Sequence, residues 1–271
     1  MRGTSRKLMF AKPIMALLVL ALAYAGYKVI DQRPKPNLIF SSDSVVFKHG
    51  CLGEDSLCFK IYFRFPVAEG HGSKTIQKVI DSDYSSSVIN GDPVKKLSEL
   101  KKQLADYALS YDSSFVEYTS SIPGATRWFI DVNYKMLLYN GRLLVIRYLY
   151  ADYLGGAHGN YNFHYQNIDL VHGKILAFSD FIEDTSAFKS VTYKKLVSKY
   201  KRKSNFMFPD ENGFVLPKEF ALLRNGLLLH YNVYEISSYA QGDFEFLIPY
   251  SSLSEIINDR FLRKNILVDS K

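Results

Sequence analysis

The chain has 271 residues, 47% of them hydrophobic and 23% charged. That balance excludes an intrinsically disordered protein and allows one large core or two packed subdomains. The formal net charge of +7 is gathered at the start, where residues 1–30 hold five basic residues and no acid; the nearly neutral remainder has no electrostatic footprint for nucleic acid, and no such partner is expected.

Ile14 to Ile30 (IMALLVLALAYAGYKVI) is apolar except for Lys28 near its end. As a helix it spans about 25 Å, the low end for crossing a membrane. Lys28 can snorkel to the interface, with Tyr24 and Tyr27 as anchors. The basic residues ahead of the run place the N-terminus in the cytoplasm and the body outside. Two readings fit: an uncleaved signal anchor, favoured by the length of the run, or a signal peptide cleaved after an A-x-A site such as Ala21-Leu22-Ala23. The expected organisation is a cytoplasmic tail (1–12), a transmembrane anchor (13–30) in the bacterial cytoplasmic membrane, a linker (31–44) and an exported domain in two halves, 45–169 and 170–271. Asp31 to Pro36 (DQRPKP) is the stiff part of that linker.

Val45-Val46-Phe47 is strand-like, and after Cys58 the run FKIYFRF puts Phe59, Ile61, Phe63 and Phe65 on one face. Cys51 and Cys58, the two cysteines of the chain, are predicted to close the loop between these strands as a disulfide, which export permits. An eight-residue loop gains about 2.5 kcal/mol in the chain-entropy model. A redox or metal pair is the rival reading, and no His cluster lies nearby to support it.

Ser73 is a candidate cap for a helix with Ile76, Val79, Ile80, Tyr84 and Val88 on one stripe. Asp92 with Pro93 predicts the start of a second helix, its Leu97, Leu100, Leu104, Tyr107 and Ala108 inward and its lysines in solvent. From Trp128 the period becomes two, with Ile130, Val132 and Tyr134 following. Asn140-Gly141 between MLLY and RLLVIRY predicts a hairpin. Asp169 to Lys174 reads as a short turn around Gly173. A helix of about 20 residues is expected after Ser179, with Phe188, Val191, Leu196, Val197 and Tyr200 apolar. Its many lysines fit a solvated face, anionic lipid or glycan being the other reading. Asn225-Gly226 predicts a second hairpin; Phe244, Phe246 and Ile248 form a last strand, and a capped helix from Ser251 ends the chain. The sum is an α+β fold: an antiparallel sheet of about seven or eight strands shared by both halves, helices packed on it, and one transmembrane helix ahead.

The stretch organising the chain is Tyr153 to Asp169 (YLGGAHGNYNFHYQNID). Gly155, Gly156 and Gly159 allow a positive φ and close backbone approach. Beyond them Tyr161, Phe163 and Tyr165 face one way and Asn162, His164 and Gln166 the other. The motif Y-x-G-G-A-H-G-x (Tyr153 to Asn160), then N-x-D and a Gly-Lys turn, resembles the RsiV-like extracytoplasmic domain family. So do the late run from Tyr231 to Gly242, Pro249 to Leu253, and the early Phe59 to Pro66. The resemblance spans 45–255 and implies a membrane-anchored binding or sensing domain of the cell envelope, with lysozyme or a cell-wall component as partner. Sigma-factor binding is not expected, because a tail of about a dozen residues is too short to fold. The deacetylase to which the first half is fused elsewhere is not expected either, since no His-x-x-x-His is present. The candidate binding residues are Tyr153, His158, Asn160, Tyr161, Tyr234 and Tyr239, whose aromatic rings offer contact area at low entropy cost; the rival use for each tyrosine is core packing. No cofactor and no metal are expected: His158 and His164 lack a third ligand. A cell-wall glycan hydrolase using His158 with Asp152, Asp169 or Glu235 is the alternative, although no nucleophile elbow is present. For His158 the competing role is to pin a tight turn through a backbone carbonyl.

Overall fold

Two helices separate the second strand from the third, and that crossover shapes the sheet. The structure is a computed structural model that describes residues 37–49, 58–122, 127–200 and 213–267. In chain order the elements are β1 (Leu38–His49), β2 (Phe59–Gly70), α1 (Ser73–Asp83), α2 (Leu97–Ser121), β3 (Trp128–Tyr139), β4 (Leu143–Tyr153) and β5 (Asn160–Asp169). There follow β6 (Lys174–Ile175), α3 (Thr185–Tyr200), β7 (Glu219–Leu223), β8 (Gly226–Tyr231), β9 (Phe244–Ile248) and α4 (Asp259–Asn265).

The fold is α+β, with corrections. One shared antiparallel sheet was expected; there are two, a six-stranded sheet in the order β1 to β6 and a three-stranded sheet β7-β8-β9. The larger is mixed, because β2 pairs parallel with β3 (Phe59 with Trp128, Phe63 with Val132). A helical crossover returns the chain to the end where β2 began, which forces a parallel pair. The first strand begins at Leu38, inside the expected linker, and pairs along its whole length with β2, Leu38 opposite Gly70 and His49 opposite Phe59. Both Asn-Gly hairpins form. At Asn140, Oδ1 accepts the backbone N–H groups of Arg142 and Leu143, and Gly141 takes a φ of 77°.

Helix ends depart further from expectation. The first is entered through Gly72 in the left-handed region, with no side-chain cap from Ser73, and it continues past Asp83 as a π turn, Tyr84–Val88. Asp92 does not cap the second, which starts at Leu97 and runs 25 residues. The terminal helix begins at Asp259 rather than Ser251, capped by Asn258, whose side chain accepts from the N–H of Phe261. The predicted transmembrane run and Cys51 lie outside the described residues, as do Lys201 to Lys203; among the described residues no helix is long and apolar enough to cross a membrane. Cys58 is buried at the start of β2.

The six-stranded sheet is packed on both faces. Phe59, Ile61, Phe63, Leu144, Ile146, Tyr148 and Ile168 meet α1 and α2 in one core. Leu138, Leu143, Val145 and Tyr165 meet β7 to β9, α3 and α4 in another. Successive residues of β4 therefore feed alternate cores, which is why LLVI carries no polar position.

Candidate functional site

Strand β5 has a nearly free edge, since β6 pairs only with Ile168 and Asp169. An exposed edge invites aggregation, and side chains of the second half cover this one. Asn232 donates Nδ2 to the Phe163 carbonyl (2.9 Å) and accepts the Phe163 N–H at Oδ1 (2.7 Å). Glu219 Oε2 accepts the Tyr165 N–H at 2.8 Å. Further along, buried Asn167 gives Nδ2 to the Phe220 carbonyl (2.7 Å) and takes the Leu222 N–H (2.8 Å). Each asparagine amide thus stands in for a strand residue.

His164 completes the joint. Its Nε2 lies 2.9 Å from Asp83 at the end of α1, and its Nδ1 3.1 Å from Glu219. Burial pulls its pKa down, but the hydrogen bonds and charges of both carboxylates outweigh burial and raise it to about 10. The ring is therefore an imidazolium that donates from both nitrogens.

Above this joint opens a cleft of about 520 Å3. Its floor is one face of β4 and β5, where Tyr148, Tyr150 and Asp152 lie opposite His164, Asn162 and Asn160. Tyr107 and Tyr111, one turn apart on α2, form a wall. Hydroxyls link Tyr111 to Tyr107 (3.2 Å) and Tyr107 to Tyr150 (3.3 Å). The neighbouring Tyr150 and Asn160 draw the pKa of Asp152 down; burial, the larger influence, still holds its carboxyl above the usual value. Burial likewise pushes the Tyr111 phenol up to about 12. Tyr234 stands at the rim, 55% exposed, with a φ of 68°, a strained conformation for a residue with a Cβ.

Beside the cleft two loops meet. The His158 ring stacks on Tyr239 with centroids 4.0 Å apart, and Tyr239 also touches Tyr161 (6.3 Å) and Tyr234 (5.6 Å). The Tyr239 hydroxyl donates to the Gly159 carbonyl at 2.6 Å, and Tyr161 donates to Asp243 at 3.0 Å. Gly155 and Gly156 have φ of 89° and 95°; a Cβ on Gly159 would stand 2.5 Å from the Asp152 carbonyl.

The structure gathers His158, Tyr161, Tyr234 and Tyr239 of the predicted binding residues. Asn160 lies in the cleft instead, and Tyr153 turns its hydroxyl to the Gly156 carbonyl. His158 Nδ1 bonds the Gly159 carbonyl at 2.8 Å. Asp169 goes to the His172 ring (2.7 Å) and to the backbone of its own turn, and Glu235 accepts from the Asn232 N–H. Neither is paired with His158 in a dyad. Sequence reasoning missed the cleft residues Tyr107, Tyr111 and Tyr150 and the partners of His164. A signal was present: Tyr148, Tyr150 and Asp152 occupy one face of β4 at period two, and Tyr107 and Tyr111 one helix face at i, i+4. Among the described residues no group of three His, Cys, Asp or Glu could hold a metal ion.

The folded class, two sheets with helices on the larger one, is shared with solved structures. A DUF3298 family member from Bacteroides fragilis NCTC 9343 superposes with a TM-score of 0.66 at 23% identity, covering 88% of this chain and 100% of that one. A DUF3298 family protein from Pseudomonas aeruginosa PAO1 gives 0.53 at 18%, covering 82% and 95%. At such identities the likeness shows the fold. By sequence, residues 171–251 match the family described as Protein of unknown function (DUF3298), and residues 52–161 match Deacetylase PdaC. No curated protein matches. The two matches cover separate segments, the later one similar to the DUF3298 family and the earlier one to the PdaC family.

Proposed function

We propose that the chain is a membrane-anchored, exported binding domain of the bacterial cell envelope, RsiV-like in its outer part, that engages lysozyme or a cell-wall component without holding a sigma factor. The observation that carries this reading is the aromatic cluster of His158, Tyr161, Tyr234 and Tyr239 beside an open cleft. Partly exposed, preorganised tyrosines are what recognition surfaces use. The topology supports it. The chain enters the body at Leu38, and β1 runs 12 residues, about 40 Å, to the opposite end of the sheet. Register places His49, Phe59, Trp128, Tyr153 and Asn160 at that far end.

The test is calorimetric titration of residues 36–271 with lysozyme, then with soluble cell-wall fragments. Saturable binding that Tyr234→Ser or Tyr239→Ala weakens about tenfold or more is the expected result; no heat with either probe sinks the reading. A glycan hydrolase is the second reading, favoured by the Asp152 carboxyl, which burial holds above its ordinary pKa as a general acid requires. Release of reducing ends from cell-wall glycan, lost in Asp152→Asn, would select it.

A further inference from the structure

The cleft carries a charge pattern that the whole chain does not predict. The protein holds 34 Lys and Arg, yet among the described residues lining the cleft there is neither. Its ionisable lining is Asp152, Glu219 and His164 besides the tyrosines. Both Glu219 oxygens are used, one by His164 and one by the Tyr165 N–H, and the His164 charge is shared between Asp83 and Glu219. Asp152 differs. The groups acting on it are Tyr150 and Asn160, and no cation is among them. A half-buried carboxylate without a counter-charge is an incomplete electrostatic arrangement that an incoming cation completes.

The shape and surface narrow the cation. Tyr107 and Tyr111 set their rings 5.1 Å apart at 66°, and ring faces attract an ammonium and pack the C–H face of a saturated ring. Around them stand the amides of Asn90, Asn160 and Asn162, able to donate to and accept from hydroxyls. A bare alkylammonium would leave those amides unused. An anionic ligand would meet the Asp152 carboxylate, and the cationic His164 of the lining is already engaged by Asp83 and Glu219. The volume of about 520 Å3 lies in the range of small-ligand pockets and suits one or two sugar rings.

We propose that this cleft recognises an amino sugar with a free, protonated amine, Asp152 receiving the ammonium and the faces of Tyr107 and Tyr111 the sugar ring. This rests on the binding-domain reading and specifies its ligand. A neutral N-acetylated sugar fits the same aromatic wall but places an uncharged amide at the carboxylate, so discrimination follows the charge of one substituent.

The experiment titrates the full-length chain in detergent, at pH 6, with two tetrasaccharides: β-1,4-linked glucosamine and β-1,4-linked N-acetylglucosamine. The free-amine tetramer is expected to bind about tenfold more tightly or better. Asp152→Asn is expected to abolish that preference; it should fold, because burial already favours the uncharged carboxyl. The wild-type comparison stands without the variant if folding fails. Equal binding of the two sugars, preference for the acetylated one, or a preference that persists in Asp152→Asn overturns the proposal. If lysozyme or the acetylated sugar binds and the free-amine sugar does not, the binding-domain reading survives and the amine proposal falls. If no probe binds, both fall.

Discussion

Replacing Asp81 with Asn is expected to stabilise the protein at neutral pH. The side chain is 1% exposed, its Oδ1 receives Gln77 Nε2 at 2.6 Å, and its Oδ2 has no partner. Burial raises its pKa from 3.8 to about 6, against the opposing Gln77 bond. The folded state therefore holds this proton more tightly than the unfolded state, and stability falls as pH rises from near 4 through 6. Thermal unfolding should place Asp81→Asn a few degrees above the parent at pH 7.5, with the gain vanishing below pH 4. His164 has the same sense in a higher window, its charged form being the stabilised one. With a folded pKa of about 10 against 6.5, its contribution is complete below 6.5 and is lost as pH rises through 10. His164→Gln should cost about 2–3 kcal/mol at pH 6, since it leaves Asp83 and Glu219 facing each other, and should flatten the stability profile between pH 6.5 and 10. A profile as steep as the parent's would show that another group titrates there.

At the scale of elements, Asn232 stands in for a missing strand at the β5 edge, and Asn167 of β5 does the same for the edge of β7. Asn167→Ala strands the Phe220 carbonyl and the Leu222 N–H in the interior and should cost about 2–4 kcal/mol in denaturant unfolding. Asn232→Ala acts on Phe163, nearer to solvent, and should cost less. Much of the element order was legible from the sequence: both Asn-Gly hairpins, the alternation of Trp128, Ile130 and Val132, and the opposed faces of β5 follow from local chemistry and period. What local chemistry cannot encode was missed. The parallel β2–β3 pair depends on how α1 and α2 return the chain. The expected cap at Asp92 gave way to a later start of α2, whose Leu100 and Leu104 are buried in the core. The site was legible in part for the same reason. His158 and its tyrosines lie in two loops whose composition marks them, whereas the cleft arises only when β4, β5 and α2 are stacked. Polar Gln166, Asn167 and Asp169, buried at the end of β5, were the available hint that this strand is enclosed.

As a whole molecule, the two matched segments, 52–161 and 171–251, flank β5, most of which neither covers. Because β4 and β5 supply side chains to both cores, residues 37–200 alone would expose the face carrying Leu143, Val145 and Tyr165. We expect one cooperative thermal transition for residues 36–271, with calorimetric and van't Hoff enthalpies in agreement, and aggregation of the isolated first half. Two separated transitions would mean that the cores fold independently. The long β1–β2 pairing also has a mechanical meaning. If the protein is held at Leu38 while a partner grips the loops at the other end, the pull runs along β1. Its register over 12 residues then resists in shear, with the hydrogen bonds loaded together rather than peeled one at a time. A domain built this way transmits force between its two ends without first surrendering its outermost strand.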